Sequence, residues 1–495
     1  MSKLLSYKPR PNLRLACAMV VAGMLLLMVA RVVRFPRAVG TIVVPILDMP
    51  LPVVARVVVY VVALVLLFSA YAYAIYSVRL STSDKLGRGV VVFTVVLSLI
   101  AVLNRDLFSN DVYMYIFYGR MFSGFGLNPY VVLPADAPND PVLSQVDWRN
   151  LLSPYGPLWT SWSALLDWAT PGGTTQTVAA FKLAAAATHV VNTLLIGAIV
   201  HRVSRVNSPL AMAAYGWNPL TITEFAGNAH NDSLMLMWIL AALLAYHHRR
   251  PLLGAALIGL AVATKFTGLL FVPFYLIALV RGQGTQREKI RRSLILSCVM
   301  FAVLVAAWLP YVGRSGWTRI FHLPDQAGWY LNSLPKAAYT ALRDGMVWLW
   351  GMAPVRAGDM ASALVTIAGL ALILIVGWWL GWKINVPADL VEMWFWFLFA
   401  YLFFVGPYFW PWYATSLVSL AAMSSNRYVW IVTTSLSLSA MLVYSCSDCR
   451  TYLNASDSAL TGLAIFIVPL IMLAALLLRR NSTQPVLEGV PRLYG

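Results

Sequence analysis

Arg105 to Trp159 carries five aspartates, Asp106, Asp111, Asp136, Asp140 and Asp147, and three arginines, Arg105, Arg120 and Arg149. A positioned carboxylate can take a proton from a hydroxyl, and a guanidinium can hold two oxygens of a phosphate at once. Asp106 and Asp111 stand nearest the apolar segment that precedes the stretch, and either could be such a base. Ser109, Asn110 and Asp111 also suit a helix start, where short polar side chains cap backbone N–H groups. Tyr115 and Tyr118 follow Asp111 at helical spacing and would lie at a membrane interface, where Tyr is common. Asp136, Asp140 and Asp147 sit among Pro and Asn and read as solvated loop charges. Arg120 and Arg149 either meet an anion or pair with a neighbouring Asp.

Polar residues recur at other breaks between apolar segments. Lys265 stands in a turn with apolar segments on both sides. It either snorkels to the headgroups or meets a lipid phosphate. His230, Asn231 and Asp232 join two apolar segments. There Asp232 can cap a helix, or the three can hydrogen-bond the hydroxyls of a sugar. His322, with Trp329 and Tyr330, lies in a second long polar segment, and Trp412 and Tyr413 belong to the group WPWY. The WPWY aromatics fit an interfacial belt or a stacking surface for a sugar or prenyl chain, while His322 is either a surface or packing residue or, with Trp329 and Tyr330, helps bind donor or acceptor.

The elements that carry these residues are membrane spans. The chain is 60% hydrophobic and 11% charged, with mean hydropathy +0.73, against about 25% charged residues in soluble domains. Its formal charge of +17 follows from the positive-inside bias of cytoplasmic loops. No basic-aromatic patch points to nucleic acid. Leu13 to Ala30 is too long for a signal-peptide core and lacks a small-residue cleavage site, so it is expected to be a retained span. Basic residues before it place the N-terminus inside.

Alternating spans then give an all-α, polytopic bundle of about 12–14 crossings. Pro157 to Ala169 is too short to cross and reads as an interfacial or re-entrant helix. Residues 1–480 form one membrane domain, with outer segments at 105–158 and 313–359. Residues 481–495 form a disordered cytoplasmic tail. Cys17 and Cys298 read as packing residues. Cys446 and Cys449, in CSDC, are either bridged or free, and zinc is not expected without a second ligand pair.

DVYMYIFYGRMFSGFGLNPY, followed by SPYGPLW, resembles the first outer loop of GT-C glycosyltransferases, in particular bacterial polyprenyl-phosphate-mannose-dependent alpha-mannosyltransferases. The residues that carry the resemblance are Asp111, Tyr115, Gly119, Arg120, Asn128, Pro129, Tyr130 and Pro154 to Pro157, which include Tyr155. GNAHNDSLM (Gly227 to Met235), ATKFTGLLFVP (Ala263 to Pro273) and PYFWPWY (Pro407 to Tyr413) extend it.

The resemblance implies a plasma-membrane enzyme, active on the extracytoplasmic face. It would move a hexose, mannose by analogy, from a polyprenyl-phosphate donor to a hydroxyl of a glycan or glycolipid, with inversion. It favours Asp111 over Asp106 as base and places Lys265 near the lipid phosphate. Such a donor already has a good leaving group, so the chemistry needs one base and an anion-holding site, not the carboxylate pair of a glycosidase. No cofactor and no metal are expected. The alternative is a transporter or flippase of lipid-linked sugars. That would predict paired halves and ionisable groups at mid-membrane, whereas the acids here gather in outer loops and no repeat is visible.

Overall fold

A computed structural model of the chain describes residues 12–32, 43–44, 49–104, 107–171, 173–203, 208–281, 284–315, 330–383, 389–446 and 457–480. Long runs without internal charge form helices because every backbone polar group in lipid must be satisfied within its own segment. The first half holds α1 (Leu13–Val32), α2 (Leu51–Arg79), α3 (Leu86–Leu103), α4 (Asp111–Ser123), α5 (Pro157–Ala169), α6 (Thr174–Val203), α7 (Ser208–Gly216), α8 (Pro219–Ile222), α9 (Asp232–His247), α10 (Pro251–Thr264) and α11 (Val272–Val280). The second half holds α12 (Gln286–Ser315), α13 (Leu334–Trp350), α14 (Pro354–Lys383), α15 (Asp389–Phe404), α16 (Thr415–Met423), α17 (Arg427–Met441) and α18 (Asp457–Arg480). The described β structure is small: Val43–Val44 pairs antiparallel with Met49–Pro50, and Leu331 bridges Tyr408.

Eight described helices are long and apolar enough to cross a bilayer, and Asp232–His247, Pro251–Thr264, Phe266–Val280 and Leu390–Phe404 are shorter apolar helices. The chain is a polytopic, all-α membrane protein, as expected. The stretches that look short in the sequence stay short, α9 with 16 residues and α10 with 14, whereas α6 and α14 each run for 30 residues. α5, at 13 residues, is too short to span and packs on α4.

Burial sorts the spans. Only 11% of the apolar window of α14 and 17% of that of α12 is buried, against 50% in α6 and 56% in α17. The first two therefore form the lipid-facing perimeter, exposing residues such as Leu374, Ile375 and Phe301. Cys298 is exposed on α12 rather than packed. Cys449 lies outside the described residues.

Two irregularities set up the polar end of the bundle. After α7 the chain breaks at Asn218, whose side chain accepts from Leu220 N–H at 3.0 Å, and Pro219 opens α8, where its missing N–H costs nothing. The helix then widens into a π turn, Thr223–Gly227, a form that recurs at functional sites. Ala229 follows at φ 62°, left-handed backbone that a residue with a Cβ rarely adopts. The helical path thus runs from Pro219 through to Gly227.

Candidate active site

Asp111 is the first residue of α4, where the positive end of the helix favours an anion. Asn110 precedes it without capping the helix through its side chain, and Ser109 Oγ accepts the Asp111 N–H at 3.3 Å. The Asp111 carboxylate turns inward instead. Tyr155 Oη lies 3.5 Å from its Oδ2, and His230 Nδ1 lies 4.0 Å from the same oxygen. Its side chain keeps 21% exposure, so a proton donor can still reach it. Desolvation raises its pKa above the ordinary carboxylate value, a rise that the Lys265 charge opposes.

His230 is the hub. Its Nδ1 is 3.2 Å from Tyr115 Oη, its ring stacks on Trp412 at 3.9 Å, and its Nε2 approaches Glu224 Oε2 at 3.3 Å. It is fully buried. Burial pushes its pKa down to about 4 against the pull of Asp111 and Asp232, so the ring is neutral at pH 7. Next to it, Asn231 is fully buried and neither side-chain polar atom has a partner among the described residues, an unusual state for a native amide.

Asp232 opens α9. Its carboxylate does not act as a cap but takes Lys265 Nζ at 2.7 Å. Lys265, at the end of α10, also lies 4.9 Å above the ring of Tyr413. This pairing replaces both simple snorkelling and a free cation in the turn. Tyr115 packs edge-on to Tyr155 at 4.8 Å and to Trp159 at 5.1 Å, walling one side of the cluster.

Two glycines allow these segments to meet. A Cβ on Gly156 would lie 2.1 Å from Ala263 O, beside the backbone bond from Gly156 N–H to Thr264 O at 3.2 Å. A Cβ on Gly119 would lie 2.6 Å from the Ser163 carbonyl carbon, where α4 crosses α5. Backbone atoms cannot yield as side chains do. Gly156→Ala is therefore expected to push the Tyr155 loop away from Lys265 and to cost about 1–3 kcal/mol. Lowered thermal stability together with lost turnover would show it; an unchanged melting temperature would count against this contact.

Asp111, Tyr115, Tyr155, His230, Asn231, Asp232, Lys265, Trp412 and Tyr413 thus meet at one end of the bundle. Arg120 and Asn128 do not join them. Arg120 is held by Asp140 at 2.9 Å and Asp167 at 2.7 Å, the pairing that was its alternative. Asp140 is accordingly not a solvated charge: its side chain is 12% exposed and also caps Val142 N–H. Asn128 Nδ2 donates to Tyr311 O at 3.0 Å, and its Oδ1 accepts from Tyr130 N–H at 3.1 Å, fixing a turn. Arg149 turns back onto the Val146 and Ser144 carbonyls. Arg105, Asp106, His322 and Trp329 lie outside the described residues. Among those described, no group of three His, Cys, Asp or Glu is placed to hold a metal ion.

Glu224 and Tyr444 join the site without being marked out by any motif in the sequence. Glu224 has no exposed surface. Tyr444 Oη donates to its two oxygens at 2.9 and 3.1 Å, and Asn228 Nδ2 donates to Oε2 at 3.1 Å. An acid between Thr223 and Phe225, in a stretch with no other charge over 206–229, is the available signal, since ionisable groups in membrane segments are functional candidates by default.

A family profile described as alpha-(1->6)-mannopyranosyltransferase, N-terminal domain, matches residues 15–281, more than half of the chain. The alpha-(1->6)-mannopyranosyltransferase A of Corynebacterium glutamicum is 30% identical over 199 residues, 39% of this chain and 39% of that protein. The protein of the same name from Mycobacterium tuberculosis is 26% identical over 334 residues, 59% of this chain and 63% of that protein. The matches therefore span less than two thirds of either relative. A crystal structure of the Archaeoglobus fulgidus oligosaccharyltransferase, in complex with Zn and sulfate, overlaps with 78% of this chain and 52% of its own, at a TM-score of 0.40 and 14% identity.

Proposed function

The chain belongs to the alpha-(1->6)-mannopyranosyltransferase family, and on that premise we propose that it is a membrane glycosyltransferase. In this reading it moves mannose from a polyprenyl-phosphate donor to a hydroxyl of a glycan or glycolipid, with inversion. The observation that carries it is the convergence of one partly exposed carboxylate, Asp111, with a cation, Lys265, inside a wall of Tyr115, Tyr155, Trp412 and Tyr413.

Asp111 takes the proton of the acceptor hydroxyl as its oxygen attacks the anomeric carbon. The bond from that carbon to the phosphate oxygen breaks, and its electron pair leaves on the lipid phosphate. Lys265, released in part from Asp232, meets the growing charge there. Direct attack on a β-linked donor gives an α product. The aromatic wall supplies faces for the sugar. The active end is assigned to the extracytoplasmic side, because basic residues gather in the loops of the other side.

Reconstituted protein with synthetic prenyl-phosphate mannose and a mannoside acceptor tests the proposal. A new α-mannoside is the expected result. Movement of the lipid across the bilayer without glycoside formation would instead identify a flippase.

The pH profile of kcat/KM carries a second expectation. Asp111 works as the ionised form, so activity is lost as pH falls through its pKa. Because burial raises that pKa, the acid limb should lie above the range of an ordinary exposed aspartate. A limb at or below pH 4 would contradict the burial seen here.

A further inference from the structure

We propose that Glu224 is a positioning residue that fixes which nitrogen of His230 carries the proton, and through His230 sets how readily Asp111 ionises. The inference rests on the reading of Asp111 as the base.

Glu224 and His230 are both fully buried. The turn that joins them is locked: His230 N–H donates to Glu224 O at 3.0 Å, Asn228 N–H donates to Thr223 O at 2.9 Å, and Ala229 sits at φ 62°. Asn228 spans two segments. Its Nδ2 donates to Glu224 Oε2, and its Oδ1 accepts the Phe108 N–H at 2.9 Å. The backbone leading to Asp111 is thereby tied to the same turn.

The donors around Glu224 favour one tautomer of His230. Tyr444 Oη and Asn228 Nδ2 are donors, and both are directed at Glu224 oxygens. No Lys or Arg contacts Glu224 among the described residues. A buried carboxyl without a cation keeps its proton. As a neutral acid it has one O–H to place, and His230 Nε2, 3.3 Å from Oε2 and without a hydrogen-bond partner among the described residues, is the acceptor within reach. His230 then carries its own proton on Nδ1, which faces Tyr115 Oη at 3.2 Å and Asp111 Oδ2 at 4.0 Å. A donor aimed that way favours the Asp111 anion.

Titratable and charged groups on the surrounding elements complete the site. Asp111 and Tyr115 face His230 from α4, Asp232 from α9 and Lys265 from the end of α10. Tyr444 faces Glu224, while His189 on α6 lies across Phe225.

The test is the acid limb of the pH profile in full-length protein reconstituted in lipid. Glu224→Leu removes the proton from Nε2's partner and lets the ring carry its hydrogen on Nε2. The limb should move to higher pH, with kcat at neutral pH down about ten-fold and KM for the donor little changed. Glu224→Gln, whose amide nitrogen can donate to Nε2 though it no longer accepts from Asn228 Nδ2, should keep the limb nearer that of the parent protein than Glu224→Leu does. In a His230→Gln background, Glu224→Leu should move the limb no further. Should Glu224→Leu not fold, Tyr444→Phe frees the carboxyl to turn and should shift the limb in the same direction. An unmoved limb in Glu224→Leu or Tyr444→Phe, or an equal shift without His230, overturns the proposal. Full turnover in Asp111→Asn would instead remove the base on which it rests.

Discussion

Asp111→Asn is expected to lower kcat by about 10²–10⁴-fold, the range that a positioned general base contributes. The substitution keeps the shape of the side chain and an oxygen for the Tyr155 hydroxyl at 3.5 Å, so it removes the proton acceptor with little else. Because the Asp111 carboxylate does not serve as the helix cap, α4 should form as before. Donor KM should hold while kcat falls, the signature of an interaction used in the transition state. Asp232 is the rival carboxylate nearby, but it is 3% exposed and engaged by Lys265 at 2.7 Å, so it has neither access to a hydroxyl nor a free anion to offer. Turnover within ten-fold of the parent in Asp111→Asn would remove Asp111 as base, and a melting temperature measured alongside would separate that from misfolding.

Much of this site is legible in the sequence for one reason. Apolar spans leave few places for polar side chains, so Asp111, His230 to Asp232, Lys265, Trp412 and Tyr413 stand out at span ends. Alternation of spans then brings those ends to one side. The bundle itself is legible on the same ground: 60% hydrophobic residues in long runs leave helices as the natural solution in lipid.

What the sequence conceals is partner choice across long separations. Arg120 meets Asp167, 47 residues away, and Lys265 meets Asp232, 33 residues away; neither pairing has a local signature. Asn128 sits in a conspicuous Asn-Pro-Tyr, yet its amide serves the turn and the Tyr311 carbonyl. Gly119 and Gly156 draw notice as parts of motifs, while their physical role is close backbone approach. Glu224 is hidden for the opposite reason. The π turn that carries it looks like the end of one span and the start of a loop, and its partner Tyr444 lies 220 residues on, in what reads as an ordinary span.

Lys265→Met is expected to reduce kcat/KM by about 10²–10³-fold, the cost of losing a donor that meets charge developing in the transition state. It should also destabilise the protein, by at most about 3–5 kcal/mol, because Asp232 is left buried without its partner. These two losses have different cures, and that difference separates the two roles Lys265 could have. Adding Asp232→Asn to Lys265→Met removes the orphaned charge and should restore the melting temperature. If the ammonium group serves the lipid phosphate, turnover stays low in the double variant, since the described cation beside Tyr413 is gone. If the ammonium group serves only to neutralise Asp232, the double variant recovers turnover along with stability. We expect the former, because a cation 12% exposed and 4.9 Å over an aromatic ring is held at the edge of the cluster rather than sealed within it. From there it can shift from a carboxylate to an arriving phosphate without leaving the site.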